Sequence, residues 1–253
     1  APGYRAAVPV ELVIIIPVYN EADNVLPLAE EVAAGLRGSV TDYSLVFVDD
    51  ASNDETWSKI ADAARRDPRV RGFRHQQNRG QSAALWTGIK ATTEPLIATL
   101  DGDRQNDPAD LKLLLAELPG VDFACGVRLN RQDTWVRRVS SNIARRARRS
   151  VLGADFRDTG CALRVFKREA LAAMFPFNGF HRFLPVLIHS GGFTVKEVPV
   201  NHRPRVAGVS KYGVWNRLGR GIVDLFALAW YQRRRIRHVA FDELGRDNTK
   251  PKR

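Results

Sequence analysis

Three oxygen-bearing side chains close the apolar run Pro95–Leu100: Asp101, Asp103 and Gln105, within Asp-Gly-Asp-Arg-Gln. In an extended chain, residues two apart face the same way, so the three could point at one spot. Hard oxygen donors at the mouth of a buried strand suit Mg²⁺ or Mn²⁺, an ion that keeps some water and grips substrate phosphates. The chemistry would be the handling of a diphosphate. A solvated turn would use the same residues, since Asp-Gly is a common turn pair.

Two further stretches carry donors or acceptors to the ends of apolar runs. Asp49-Asp50 precedes Asn53-Asp54. Helix capping accounts for Asn53 or Asp54. It does not account for two adjacent carboxylates, whose repulsion calls for a nearby cation or donor; such a group can accept from a base N–H or a ribose hydroxyl. Pro17-Val18-Tyr19-Asn20-Glu21 sets a flat ring after a strand-stopping proline, with Asn20 readable as a helix N-cap. On the basic side, Arg137 and Ser141 are spaced i,i+4 and would share one helix face, fitting a phosphate monoester or a solvated surface. Arg203–Gly213 reads as a mobile glycine-containing flap whose Arg205 and Lys211 could close on a diphosphate. His75–Gly80 reads as a polar loop. Cys125 and Cys161 read as small core residues, with no disulfide framework and no zinc site.

These groups need a scaffold, and the periodicity supplies one. Strands are expected at Glu11–Val18, Ser44–Val48, Val70–His75, Leu96–Leu100, Asp122–Arg128, Gly160–Phe166 and Thr194–His202. Helices are expected at Asn24–Leu36, Glu55–Arg65, Gly80–Thr92, Pro108–Leu118, Thr134–Leu152, Lys167–Met174, Arg182–His189 and Val214–Tyr231. Continuous β-branched runs such as Leu-Val-Ile-Ile-Ile mark strands buried on both faces. Their alternation with helices indicates parallel βαβ units, whose ligands bind beyond the carboxyl ends of the strands.

Of the 253 residues 44% are apolar, which excludes a disordered chain. Lys and Arg number 39 against 28 Asp and Glu, a net charge of +11 that favours a polyanionic partner. No signal peptide and no apolar run of membrane-spanning length is expected. Gly221–Tyr231 is too short to span and carries Asp224. Trp215–Tyr231 with the following Arg233–Arg235 reads either as a core-packing helix or as one lying in a membrane interface.

As an ordered set the motifs resemble the family 2 glycosyltransferases of the GT-A fold, and among them the dolichyl-phosphate mannose synthase and polyprenyl-phosphate sugar transferase group. The matching elements are Pro-Val-Tyr-Asn-Glu at 17–21, Val-Asp-Asp-Ala-Ser-Asn-Asp at 48–54, Asp-Gly-Asp-Arg-Gln at 101–105 and Gly-Val-Arg at 126–128. Arg137-x-x-x-Ser141, Asp158-Thr159-Gly160 with Arg164-Val165-Phe166, and His202–Arg205 through Ser210–Gly213 complete it. The resemblance implies a Rossmann-like, mixed but mainly parallel sheet flanked by helices, with a C-terminal amphipathic helical extension. It divides the chain into a catalytic domain at 10–213, a helix at 214–241 and a tail at 242–253. Residues 10–120 would form the nucleotide-sugar half and residues 121–213 the acceptor half.

By the same resemblance, Pro17, Tyr19, Glu21, Asp49, Asp50, Asp101 and Asp103 would hold the nucleotide sugar, and Asp101, Asp103 and Gln105 a Mg²⁺ or Mn²⁺ ion. Arg128, Arg137 and Ser141 would hold the acceptor phosphate. Asp103, Arg205 and Lys211 would be catalytic. The implied reaction is inverting transfer of a hexose from a GDP-mannose or UDP-glucose type donor to a polyprenyl phosphate at the cytoplasmic membrane face. Peripheral membrane contact, by this chain or through a membrane partner subunit, is expected, since the transmembrane helices many relatives carry after Ser-Lys-Tyr are missing here. Two alternatives stand: a hydroxyl acceptor, with Asp158 as base, and a basic membrane- or nucleic-acid-binding module. The acidic strand ends and the lack of a nucleic-acid motif weigh against nucleic acid.

Overall fold

The computed structural model describes residues 11–40, 42–128, 145–146, 149–153, 155–204 and 214–235. Seven strands form one sheet: β1 (Leu12–Val18), β2 (Tyr43–Asp49), β3 (Val70–Arg74), β4 (Leu96–Thr99), β5 (Phe123–Arg128), β6 (Arg164–Lys167) and β7 (Val195–Val200). The order across the sheet is β3-β2-β1-β4-β6-β5-β7. All neighbours run parallel except β6, which is antiparallel to both β4 and β5.

The double-sided burial expected of the first strand is visible residue by residue. Leu12, Ile14, Ile16 and Val18 face one core, with α1 (Ala22–Leu36), α2 (Thr56–Arg66) and α4 (Leu111–Leu115) packed over them. Val13 and Ile15 face the other, under α3 (Gln81–Lys90), α5 (Leu184–Ser190) and α6 (Val214–Arg234). Each such aliphatic side chain contributes roughly 1.5–3 kcal/mol by leaving water. α6 seats Leu225, Leu228 and Ala229 in the second core, while Val223, Phe226 and Trp230 are exposed. Among the described residues no helix is long and apolar enough to cross a membrane.

Several expected helices are shorter and tighter than their patterns suggested. Arg168–Ala173 is a 3₁₀ segment, and 3₁₀ turns at Pro108–Asp110 and Phe180–Arg182 precede α4 and α5. Of the Thr134–Leu152 helix, residues 145–146 and 149–152 are described and are helical.

The sheet has a switch point between β1 and β4. From β1 the chain works outward to β2 and β3, then α3 returns it to the opposite side of β1. Ligand crevices of open α/β sheets form at such reversals. Here the crevice has a backbone cause. β1 pairs with β2 along all seven residues, but with β4 only from Leu12 to Ile15. The Ile15 carbonyl accepts from Leu100 N (3.2 Å) and that of Val18 from Asp50 N (2.9 Å). Alternation therefore turns Pro17 toward β4. Proline has no N–H to offer there, so the two strands part.

Candidate active site

Four strand tips lie at this end of the sheet, and each is followed by a residue with positive φ. Among the described residues the only non-glycine ones are Asn20 (52°), Ala51 (61°) and Arg104 (59°), after β1, β2 and β4, and Gly80 (86°) follows β3. Left-handed backbone at non-glycine residues carries strain and persists where the surroundings over-determine it.

The first two tips are stitched together. Asn20 N donates to Ser52 Oγ (2.9 Å), Asn53 N to Asn20 Oδ1 (3.0 Å), Glu21 N to Thr56 Oγ1 (2.8 Å) and Ala22 N to Asp54 Oδ2 (3.4 Å). Asn20 is thus not the α1 cap: Glu21 occupies that position without a side-chain cap bond, and its carboxylate accepts from Asn24 Nδ2 (2.6 Å). Tyr19 is part-buried beside it.

The Asp49–Asp50 repulsion is resolved by donors from the chain itself. Asp49 is fully buried; its Oδ1 accepts from Ser52 N (2.9 Å), and its Oδ2 lies 3.1 Å from Arg74 Nε. That Oδ2 accepts no aligned hydrogen bond, so the tip keeps a buried acceptor beside the Arg74 guanidinium. Asp50 is differently employed. Its carboxylate binds His75 Nδ1 (2.7 Å), Arg79 N (2.8 Å) and Gly80 N (2.6 Å), while His75 Nε2 reaches Thr87 Oγ1 (2.8 Å). Asp50 thereby anchors the loop that starts α3.

β4 ends at Thr99, and Asp101–Gln105 is a turn rather than extended chain. The alternation argued from sequence is therefore replaced by turn geometry, with the left-handed Arg104 between Asp103 and Gln105. Asp101 Oδ1 accepts from Gln81 Nε2 at the start of α3 (2.8 Å). Asp103 is 8% exposed and accepts from Gln105 N (3.2 Å). The Gln105 carbonyl accepts from Arg203 N (2.8 Å). Gly102 sits directly on the end of β1: a Cβ there would lie 2.7 Å from Val18 Cγ1 and 3.3 Å from the Pro17 carbonyl oxygen. The acidic turn and the Pro17 tip are thus in contact.

No group of three or more His, Cys, Asp or Glu side chains among the described residues forms a metal cage. The donor set of two carboxylates and an amide on one turn still fits a hard divalent cation of the kind held through one or two carboxylates, waters and substrate phosphates.

Beyond β4 the strands carry arginines. Arg128, at the end of β5, makes a bidentate pair with Asp158 (Nε–Oδ2 2.7 Å, Nη2–Oδ1 2.9 Å). Burial works against the Arg128 charge, but those bonds outweigh it and raise its pKa. Arg164 on β6 is buried, with Nη2 donating to the Thr159 carbonyl (3.0 Å). Burial lowers its pKa, while Cys161, Cys125, Asp101 and Asp158 act in the opposite sense. Burial likewise pushes both thiols up, keeping Cys125 and Cys161 neutral core residues. Arg137, Ser141, Arg205 and Lys211 lie outside the described residues.

Sequence reasoning gave no role to Arg74 or Gln81, read His75 only as part of a polar loop, and quoted Arg164 only within a motif. Applying the strand-tip rule to β3 would have found Arg74 and His75. An arginine inside the apolar run that becomes β6 was the signal for the last.

The glycosyl transferase family 2 signature matches residues 13–175. The chain belongs to this family. It is 36% identical over 201 residues to the undecaprenyl-phosphate 4-deoxy-4-formamido-L-arabinose transferase of Enterobacter sp. (strain 638), covering 79% of this chain and 62% of that one. It is 34% identical over 233 residues to the dodecaprenyl-phosphate galacturonate synthase of Rhizobium johnstonii, covering 90% and 69%. The match thus spans about two thirds of these relatives' lengths. The structure superimposes with TM-score 0.64 and 22% identity on a mannosyltransferase from Pyrobaculum calidifontis in complex with GDP-Man and Mn²⁺, covering 87% of this chain and 64% of that one. That likeness establishes the GT-A fold.

Proposed function

We propose that this protein transfers a sugar from a nucleotide sugar to a polyprenyl phosphate, with inversion and with a divalent cation. The observation that carries the proposal is the contact between the Asp101–Gln105 turn and the Pro17 tip at the parting of β1 and β4, with the Asp49 acceptor on the next strand. The polyprenyl-phosphate chemistry named for both relatives supports the acceptor class.

In this reading Pro17, Tyr19 and Glu21 line the base and ribose side, where the buried Asp49 Oδ2 takes a hydrogen bond from a base or ribose donor. Asp50 supports that side by holding the His75–Gly80 loop. Asp101, Asp103 and Gln105 would hold Mg²⁺ or Mn²⁺, which when bound neutralises charge on the departing diphosphate. The acceptor phosphate is ionised near neutrality and needs little general-base help. One of its oxygens attacks the anomeric carbon; the carbon–oxygen bond to the donor breaks and the electron pair leaves on the nucleoside diphosphate. Arg128, Arg137 and Ser141 hold the acceptor phosphate, while Arg205 and Lys211 meet the leaving group. A hydroxyl acceptor is less well supported, because Asp158, its candidate base, is engaged in the bidentate pair with Arg128.

The acceptor's lipid chain calls for a membrane-facing surface. The exposed Val223, Phe226 and Trp230 of α6, followed by exposed Arg233 and Arg234, have the make-up of a helix lying in an anionic interface. Such contact would be peripheral, on the cytoplasmic face, with or without a membrane partner subunit.

Incubation with GDP-mannose, UDP-glucose and related donors, Mn²⁺ or Mg²⁺ and undecaprenyl phosphate should yield a glycosyl phospholipid. Asp103→Ala should slow the transfer by about 10³-fold, ~4 kcal/mol of barrier. Absence of lipid product from every donor, or an Asp103→Ala variant as active as wild type, overturns the proposal.

A further inference from the structure

Outside the crevice, one carboxylate on α1 holds two arginines that border the acidic turn. Glu31 Oε1 accepts from Arg104 Nε (3.1 Å) and again from its Nη2, and Oε2 accepts from Arg203 Nη1 (3.0 Å). Arg203 also pairs with Asp107 through Nη2, and its backbone N–H donates to the Gln105 carbonyl (2.8 Å). Beside it Asn106 and His202 form an antiparallel bridge. The turn is therefore held from both ends. Arg104, with its left-handed φ of 59°, stands between Asp103 and Gln105, and Arg203 grips the backbone just after them.

We propose that Glu31 is a positioning residue that sets the cation-binding geometry of Asp103 and Gln105 through Arg104 and Arg203. The inference rests on the divalent-cation reading above. The physical case has two parts. First, an arginine in strained backbone keeps its conformation only while its surroundings insist on it, and the forked bonds to Glu31 provide that insistence. Second, two guanidinium groups brought to one carboxylate repel each other once it is neutral. The least costly response is for Arg104, which loses both its bonds to Glu31, to swing away with the turn, while Arg203 keeps Asp107 and the Gln105 carbonyl. Glu31 is a quarter exposed, so the network adds little to global stability. Its effect is local, on groups that must converge on one ion.

The test is calorimetric titration of UDP and GDP at a series of Mn²⁺ concentrations, with thermal unfolding measured in parallel. Glu31→Gln, which keeps the shape and removes the charge, should raise the Mn²⁺ concentration for half-maximal nucleotide binding by about tenfold, the usual range for outer partners of metal ligands. Its Tm without Mn²⁺ should fall by no more than about 2 °C. Glu31→Asp should recover part of the loss. Combining Glu31→Gln with Arg104→Gln should cost no more than Glu31→Gln alone, since the Arg104 linkage is already broken in it. An unchanged Mn²⁺ requirement in Glu31→Gln, or full additivity with Arg104→Gln, overturns the assignment. A wild type whose nucleotide binding ignores Mn²⁺ altogether overturns the cation reading, and this assignment with it. Mn²⁺ dependence that Asp103→Ala abolishes and Glu31→Gln leaves intact overturns this assignment alone.

Discussion

The strand ends flanking the switch point hold buried acids; the strands beyond them hold one part-buried and one buried arginine. Asp49 ends β2, Asp50 and Asp103 follow β2 and β4, and Arg128 and Arg164 sit on β5 and β6. The two regions stabilise their charges differently. The acids are met largely by backbone N–H groups and by single side chains presented at tight turns: Ser52 N for Asp49, Arg79 N and Gly80 N for Asp50. Arg128 is met by a carboxylate that is itself buried, and Arg164 by a backbone carbonyl. Asp49 is thus met within its own turn and Asp50 by the loop after β3, whereas Arg128 is met by a side chain 30 positions on and Arg164 by a carbonyl five positions back. That arrangement agrees with the proposed placing of a cation and nucleoside diphosphate among the acids and of an acceptor phosphate near Arg128.

Three substitutions test this contrast, in descending order of expected effect. Asp158→Asn breaks a buried pair on the basic side. It should cost about 3 kcal/mol, a Tm fall of roughly 6–12 °C for a chain of this size. If instead Tm holds while only turnover disappears, Asp158 works as a base and the pairing account fails. On the acidic side Gly102→Ala forces a Cβ against Val18 and the Pro17 carbonyl, for which overpacking predicts about 2 kcal/mol and loss of Mn²⁺-dependent nucleotide binding. Gly120→Ala, whose Cβ would meet only Glu117 O at 3.7 Å, is the matched control and should change neither. Equal effects from the two alanines would mean that contact with β1 does not set the turn.

The smallest effect short of that control belongs to Asp122, away from the candidate site. Hydrogen bonds from Lys167 and Thr194 hold its carboxyl down to about 2 against the pull of partial burial. A depressed folded-state value means stability that is complete above the unfolded value of about 4 and lost as pH falls toward 2. Asp122→Asn should therefore melt below wild type by a constant few degrees above pH 4. The gap should close between pH 4 and 2. A gap that persists at pH 2 would show that the hydrogen-bond geometry, not the charge, is what matters.

The first half was legible because its strands are buried on both faces and read as unbroken apolar runs, each ending in polar residues at the turn. Leu12–Val18 and Tyr43–Asp49 lie within a residue of the stretches their composition marks. The second half was harder. β6 is four residues long and antiparallel, and short 3₁₀ segments around it carry no helical stripe to read. Within the site, Asp101 and Asp103 could be picked out by type and spacing. The partners of the acids could not: Asp50 and His75 are 25 positions apart, Arg104 and Glu31 are 73. Such pairings depend on which strands become neighbours, which local pattern does not encode. The left-handed Arg104 was equally hidden, since nothing in an arginine announces positive φ.

The missing amide hydrogen at Pro17 has a practical corollary. Because the gap between β1 and β4 is opened by main-chain chemistry, it does not depend on any lining side chain to prop it apart. Tyr19 or Glu21, proposed above to line the base and ribose side, could be exchanged to test that role without inviting the sheet to zip closed. The position to leave untouched in any such redesign is the imino acid itself.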